Sequence, residues 1–189
     1  GYRDALRTLA DARREFFYNR ELLARSVVYE ALFRHRFGEN VQSQSRTSRI
    51  LSRLETRGNE APGIDLALAA QALAEGDMST AKNRLGRARR DAGDILVHIV
   101  AGETALAEGD ADEALQSFET IDLDIDARSM WGIARAQREK GDTEAFAAAV
   151  NTTLERSPRH AAALVAKAAL AFEADDRETA LAAAEQVVG

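Results

Sequence analysis

Residues 73–77 read Leu73-Ala74-Glu75-Gly76-Asp77, and residues 106–110 spell the same five letters as Leu106-Ala107-Glu108-Gly109-Asp110. The copies are 33 residues apart. Gly141-Asp142 follows Gly109 by 32 residues, and Asp175-Asp176 follows by 34 more. A near-constant period of about 20–50 residues is the signature of stacked repeats, in which each unit buries its apolar face against the next.

Each copy has the same physical plan. An alanine-rich run, such as 95–108 or 161–174, has helical composition. Glycine then ends the helix, because it adopts the left-handed cap conformation without a Cβ penalty. The aspartate after it caps the following helix by accepting from a free N–H. Asp110 with Glu113 completes a capping box. At Asp175 the glycine is missing, and a looser turn is expected there. An alanine recurs after each cap, as Ala81, Ala114, Ala145 and Ala180, with Ala145 read as one residue early to account for the spacing of 32. An apolar residue follows one turn later, as Leu85, Phe118, Ala149 and Ala184. The pentapeptide is therefore punctuation between two helices. It is not a phosphate loop, since it lacks a second glycine and an adjacent lysine.

Composition agrees with an all-α chain. Of 189 residues, 46% are hydrophobic and only 6% aromatic, with two prolines to interrupt helices. The absence of cysteine excludes disulfides, thiolate catalysis and cysteine–zinc sites. No apolar stretch approaches the roughly 18 residues that span a bilayer, and no signal peptide is visible. A cytoplasmic location is expected, with the periplasm also compatible. The chain opens on Gly1 rather than Met, so a fragment with a truncated N-terminus is expected. Arginine outnumbers lysine 22 to 3, a composition that points to a bacterial genome.

The small residues midway along each first helix (Ala69, Gly102, Ala134, Ala168), the Gly-Asp turns, the alanines after them and Pro158 together resemble the tetratricopeptide (TPR) family over residues 62–189. The family's aromatic near the start of the first helix is matched only by Trp131, and its closing proline appears once. The resemblance implies a right-handed α-solenoid of helical hairpins, about 11 helices in all, with four repeats in 59–189. Residues 1–58 form the second part of the division. Helices are expected over 2–18, 20–37 and 41–57, the last two as a degenerate repeat, and the loop Gly58–Gly63 is the expected boundary.

The net charge of −6 divides unevenly, with +5 over residues 1–58 and −11 over the rest. Arg46, Arg49, Arg53 and Arg57 share one helix face, but the acidic remainder of the chain would repel a phosphate backbone, which argues against nucleic acid. Four of the seven phenylalanines and all three tyrosines fall in the first third. That concentration makes self-assembly into a homo-oligomer the alternative function, alongside a regulatory domain of a larger signalling protein. His35, His98 and His160 are far apart in sequence and lack the spacing of a metal pair. No nucleophile, base or metal constellation emerges, so the chain is expected to be no enzyme and to need no cofactor.

In TPR proteins the first helix of each hairpin lines a concave groove that binds peptides or helices of protein partners. Carried onto this sequence, that lining is Leu66, Ala70 and Leu73, then Ile99, Glu103 and Leu106. The third unit contributes Arg128, Trp131, Arg135 and Arg138, and the fourth Val165, Ala169 and Phe172. The three arginines would make a cationic ridge beside the one tryptophan, and both residue types are enriched at binding hot spots. The expected function is a non-catalytic protein-interaction scaffold.

Overall fold

The computed structural model describes residues 7–8, 11, 20–37, 49–51, 63–88, 94–121 and 127–188. Every regular element among them is α-helical. The bounded helices are α1 (Arg20–Phe37), α2 (Ile64–Glu75), α3 (Met78–Ala88), α4 (Ile95–Glu108) and α5 (Ala111–Glu119), then α6 (Ala127–Lys140), α7 (Thr143–Arg156), α8 (Ala161–Glu173) and α9 (Arg177–Val188). The helix expected over 20–37 is α1. Those expected over 2–18 and 41–57, the loop before Gly63, and Arg46, Arg53 and Arg57 lie outside the described residues, apart from helical backbone at 7–8, 11 and 49–51. No helix among the described residues is long and apolar enough to cross a membrane.

Four turns with one geometry organise the repeats. Gly76, Gly109 and Gly141 have φ of 80°, 79° and 75°. In each turn the residue with positive φ donates its N–H three residues back, and the aspartate after it donates five residues back. In the LAEGD copies these bonds are Gly76 to Leu73 and Asp77 to Ala72, then Gly109 to Leu106 and Asp110 to Ala105. This pair of bonds is a Schellman motif, which satisfies helix-end carbonyls that would otherwise lack partners. The aspartate carboxylate then accepts from the N–H three residues on, at Thr80 (3.0 Å), Glu113 (2.9 Å), Ala145 (2.9 Å) and Thr179 (3.1 Å). At Asp110 the forward half of the capping box forms, while the N–H that the reverse half would engage is donated to Ala105.

The fourth turn is not looser. Asp175 takes φ 57°, the only positive φ at a non-glycine among the described residues, and makes the same two backbone bonds, Asp175 to Phe172 and Asp176 to Ala171. Aspartate is one of the few side chains that visits this region.

Measured from the cap, the alanine alignment of the third copy needs correction. The fourth residue after each capping aspartate donates to its carbonyl, and these residues are Ala81, Ala114, Phe146 and Ala180. Phe146, not Ala145, holds the conserved-geometry position, and Val150, not Ala149, holds the next turn. Both are buried, whereas Ala145 and Ala149 are half-buried. The spacing of 32 therefore does not arise from an early alanine. In the last copy Ala184 is exposed and Ala183 is buried instead.

The chain divides into two compact units, residues 1–104 and 105–189. The boundary expected at residues 58/59 falls inside the first, because α1 packs along α2. In the first unit α2 also packs on α3. In the second unit each helix from α5 to α9 packs on the next in sequence. The core between α6, α7 and α8 is Ala134, Phe146, Val150 and Ala163, with Trp131, Leu154 and Leu170 packed against it. Between α5 and α6 the fit is tighter still. A Cβ on Gly132 would lie 2.6 Å from the ring of fully buried Phe118, so only glycine allows this approach.

Candidate partner-binding face

Counting back from each positive-φ residue defines a stripe on every first helix of a hairpin, at 13, 10, 6 and 3 residues before the turn. These four positions follow the spacing of neighbours on one helix face. On α2 they are Gly63, Leu66, Ala70 and Leu73; on α4, Leu96, Ile99, Glu103 and Leu106. On α6 they are Arg128, Trp131, Arg135 and Arg138; on α8, Ala162, Val165, Ala169 and Phe172. All ten residues expected to contact a partner lie on this stripe.

In the first unit the stripe is covered. Leu66, Leu73 and Ile99 are buried to 1–2% exposure, and Glu103 is fully buried. The four cannot meet a partner on a surface, which corrects the expectation for Leu66, Leu73, Ile99 and Glu103. The physical reason is α1. A Cβ at Gly63 would stand 3.7 Å from the Ala24 Cβ. Arg34 Nη1 donates to Gln71 Oε1 at 3.1 Å. Arg25 Nη2 pairs with Asp94 Oδ2 at 3.0 Å. Arg36 Nε donates to Glu103 Oε1 at 3.2 Å, its Nη2 reaches the same oxygen, and His35 Nε2 lies 3.9 Å from Glu103 Oε2. Residues 24 and 25 of α1 thus meet the starts of α2 and α4, and residues 34 and 36 meet positions further along both. Contacts that advance together in chain order place α1 parallel to α2 and α4, upon the stripe.

Sequence patterning had no means of exposing this. α1 is buried almost all round, with Leu23, Ala24, Val27, Val28, Ala31 and Leu32 joined by Ser26, Glu30 and Arg34. Apart from Glu21 and Arg25, whose ion pair is exposed, its polar residues are not a solvated face. Ser26 Oγ donates to the Leu23 carbonyl at 2.7 Å, and Arg34 is held by Gln71, whose own amide donates to Glu75. Among the described residues, Nη2 of Arg34 is a buried nitrogen without a hydrogen-bond partner.

In the second unit the same stripe is open. Leu106, Arg128, Trp131 and Arg135 are half-buried and Arg138 is exposed. On α8, Ala162 and Ala169 are exposed, Val165 is 56% exposed and Phe172 74%. Large apolar side chains so exposed at helical spacing are the informative exception to ordinary burial. Trp131 joins the two helices. It packs on the α6–α7–α8 core, and its ring lies 5.2 Å, centroid to centroid, from that of His160 at a tilt of 44°. His160 caps α8, its Nδ1 accepting from the Ala163 N–H at 3.2 Å. Sequence reading passed over this role because histidine is not among the favoured capping residues. The tryptophan is therefore a half-buried inter-helix wedge.

A cleft of about 390 Å³ lies between α7, α8 and α9, lined by Leu154, Pro158, Leu164, Lys167, Glu178 and Gln186 among others. Among the described residues no group of three or more His, Asp or Glu could hold a metal. Of the aromatic first third, Tyr29 and Phe33 are half-buried within α1, and the remaining rings lie at positions whose side chains are outside the described set. No protein-family model matches the chain, and no curated protein matches it.

Proposed function

We propose that this chain is a non-catalytic, TPR-like α-solenoid scaffold that binds a helix or peptide of a protein partner on the stripe of its second unit. The observation that carries the reading is that Arg138 on α6 and Val165 and Phe172 on α8 are exposed, and Trp131 and Arg135 half-buried, at positions of the stripe that are covered in the first unit. Nearest-neighbour packing of successive helices and four turns of one geometry support the solenoid. Phe172 and Val165 would supply apolar area, Trp131 a rigid anchor already held by the core, and the arginines orientation.

The test is a photo-crosslinking amino acid placed at Phe172 or, as a control, at exposed Asn83 on α3, followed by capture in the source cell with and without Arg138→Glu. A protein crosslinked from position 172, absent from position 83 and lost with Arg138→Glu, supports the reading. Equal capture from both positions refutes it. Recovery of further copies of the chain alone refutes it in favour of self-assembly.

A further inference from the structure

Of the five large apolar side chains exposed among the described residues, four lie on the last hairpin: Val165 and Phe172 on α8, Leu181 and Val187 on α9. Helix α9 exposes a side that earlier repeats bury on their second helices. Eight residues after the capping aspartate stand Leu85, Phe118 and Val150, each at most 4% exposed, whereas Ala184 on α9 is exposed. Eleven residues after it stand Ala88, Ile121 and Thr153, all buried, whereas Val187 on α9 is 39% exposed. The second unit shows what covers these positions. Gly132 of α6 lies against the Phe118 ring, and Ala163 of α8 shares a core with Phe146 and Val150 of α7. In both cases the cover is the next helix in the chain. Between α7 and α8 only residues 157–160 intervene, so that next helix returns antiparallel. Helix α9 therefore continues an interface already built twice in this unit, with its outer side left open.

The open side carries its own complement. Leu181, Ala184 and Val187 recur every three residues, which puts them on one side of the helix with a small residue at the centre and a larger apolar one on either hand. A two-fold axis at Ala184 turns a second α9 antiparallel and sets Leu181 of each copy opposite Val187 of the other. That sense is the one in which α8 already lies on α7, and the central alanines let the two helices approach closely. A patch that matches itself under two-fold rotation is what an isologous contact requires. We propose that α9 is the self-association surface of this protein: a second copy docks there, α9 against α9 and antiparallel about Ala184, in the place the next helix takes on α5 and α7. With 12 residues, α9 is about 18 Å long. Such a contact is smaller than a permanent interface, so the dimer exchanges with monomer at micromolar concentrations. This surface uses none of the stripe residues on which the scaffold reading rests.

Sedimentation of the full chain from micromolar to millimolar concentration should show its mass rising from one copy toward two. Leu181→Glu, at a position 62% exposed, should raise the dissociation constant at least about tenfold, because two-fold symmetry brings the carboxylate to the contact twice. The chain has no cysteine, so Ala184→Cys reads the axis directly. Mild oxidation should link it to a second copy at least about tenfold faster than Asn83→Cys, at an exposed position on α3, because only residues at the axis bring their Cβ atoms within the roughly 4 Å that a disulfide needs. A chain that stays monomeric throughout, a dimer unmoved by Leu181→Glu, or equal oxidation at positions 184 and 83 overturns the proposal. A dimer lost with Phe172→Glu but kept with Leu181→Glu overturns it as well and places the contact on the stripe. The first three results leave the scaffold reading intact, whereas the last replaces it with self-assembly.

Discussion

Three glycines offer a direct test of how the backbone sets stability, because the same Gly→Ala change meets a different obstacle at each. At Gly109 and at Gly86 an added Cβ would touch nothing within 4 Å. Packing is therefore silent at both, and only backbone conformation differs. Gly109 has φ 79° and Gly86 lies inside α3. In the left-handed region an L-residue costs about 1–2 kcal/mol, offset by about 0.4–1 kcal/mol from a less flexible unfolded chain. Gly109→Ala should thus destabilise by roughly 1 kcal/mol. Gly86→Ala should stabilise by about 0.5–1 kcal/mol, since alanine is the better helix former. At Gly132 the obstacle is steric: the new Cβ lies 2.6 Å from Phe118, whose ring is fully buried. Overpacking of this kind costs about 1–3 kcal/mol, enough to outweigh the gain in helix propensity. The reverse change, Asp175→Gly, places glycine where φ is already 57° and should recover up to about 1 kcal/mol. The assay is urea unfolding followed by far-UV circular dichroism, comparing midpoints at unchanged slope. If Gly109→Ala and Gly86→Ala move the midpoint in the same direction, the turn geometry does not govern stability and the reasoning fails.

Two further outcomes follow from the buried and capping charges. Arg36→Met leaves fully buried Glu103 without its main counter-charge and should destabilise by roughly 3 kcal/mol, whereas Arg36→Met with Glu103→Met should return to within about 1 kcal/mol of the parent; a double variant no more stable than the single one would show that the pair is not the cause. The carboxyls of Asp77 and Asp176 are held below the ordinary range, chiefly by hydrogen bonds to Thr80 and Thr179. A depressed folded-state pKa contributes stability that is present above the unfolded value of about 3.9 and is lost as pH falls through the lower folded value. The urea midpoint should therefore fall between pH 5 and pH 3, and Asp77→Asn with Asp176→Asn, which keep a cap but carry no titrating group, should flatten that fall.

The 33-residue period, the glycine at the end of a helix and the aspartate that opens the next were all legible in the sequence because each rests on local chemistry. A left-handed residue and a cap act within five residues along the chain, and the four turns formed with the same bonds. The stripe was legible for the same reason, since helical spacing alone puts Arg128, Trp131, Arg135 and Arg138 on one side of α6. The assignment of Ala145 went wrong where letter identity was followed instead of distance from the cap. The backbone hydrogen bond from Phe146 to Asp142 restores the alignment.

Whether a stripe is open or covered is a different kind of fact. It depends on where a helix far away in the chain comes to rest, and burial there is won by packing that no local pattern encodes. The pairing of Arg36 with Glu103 joins residues 67 apart, and it turns a position expected to meet a partner into part of the core. Composition could count arginines and glutamates. Only the tertiary structure assigned Arg36 of α1 to Glu103 of α4 while leaving Val165 and Phe172 of α8 exposed.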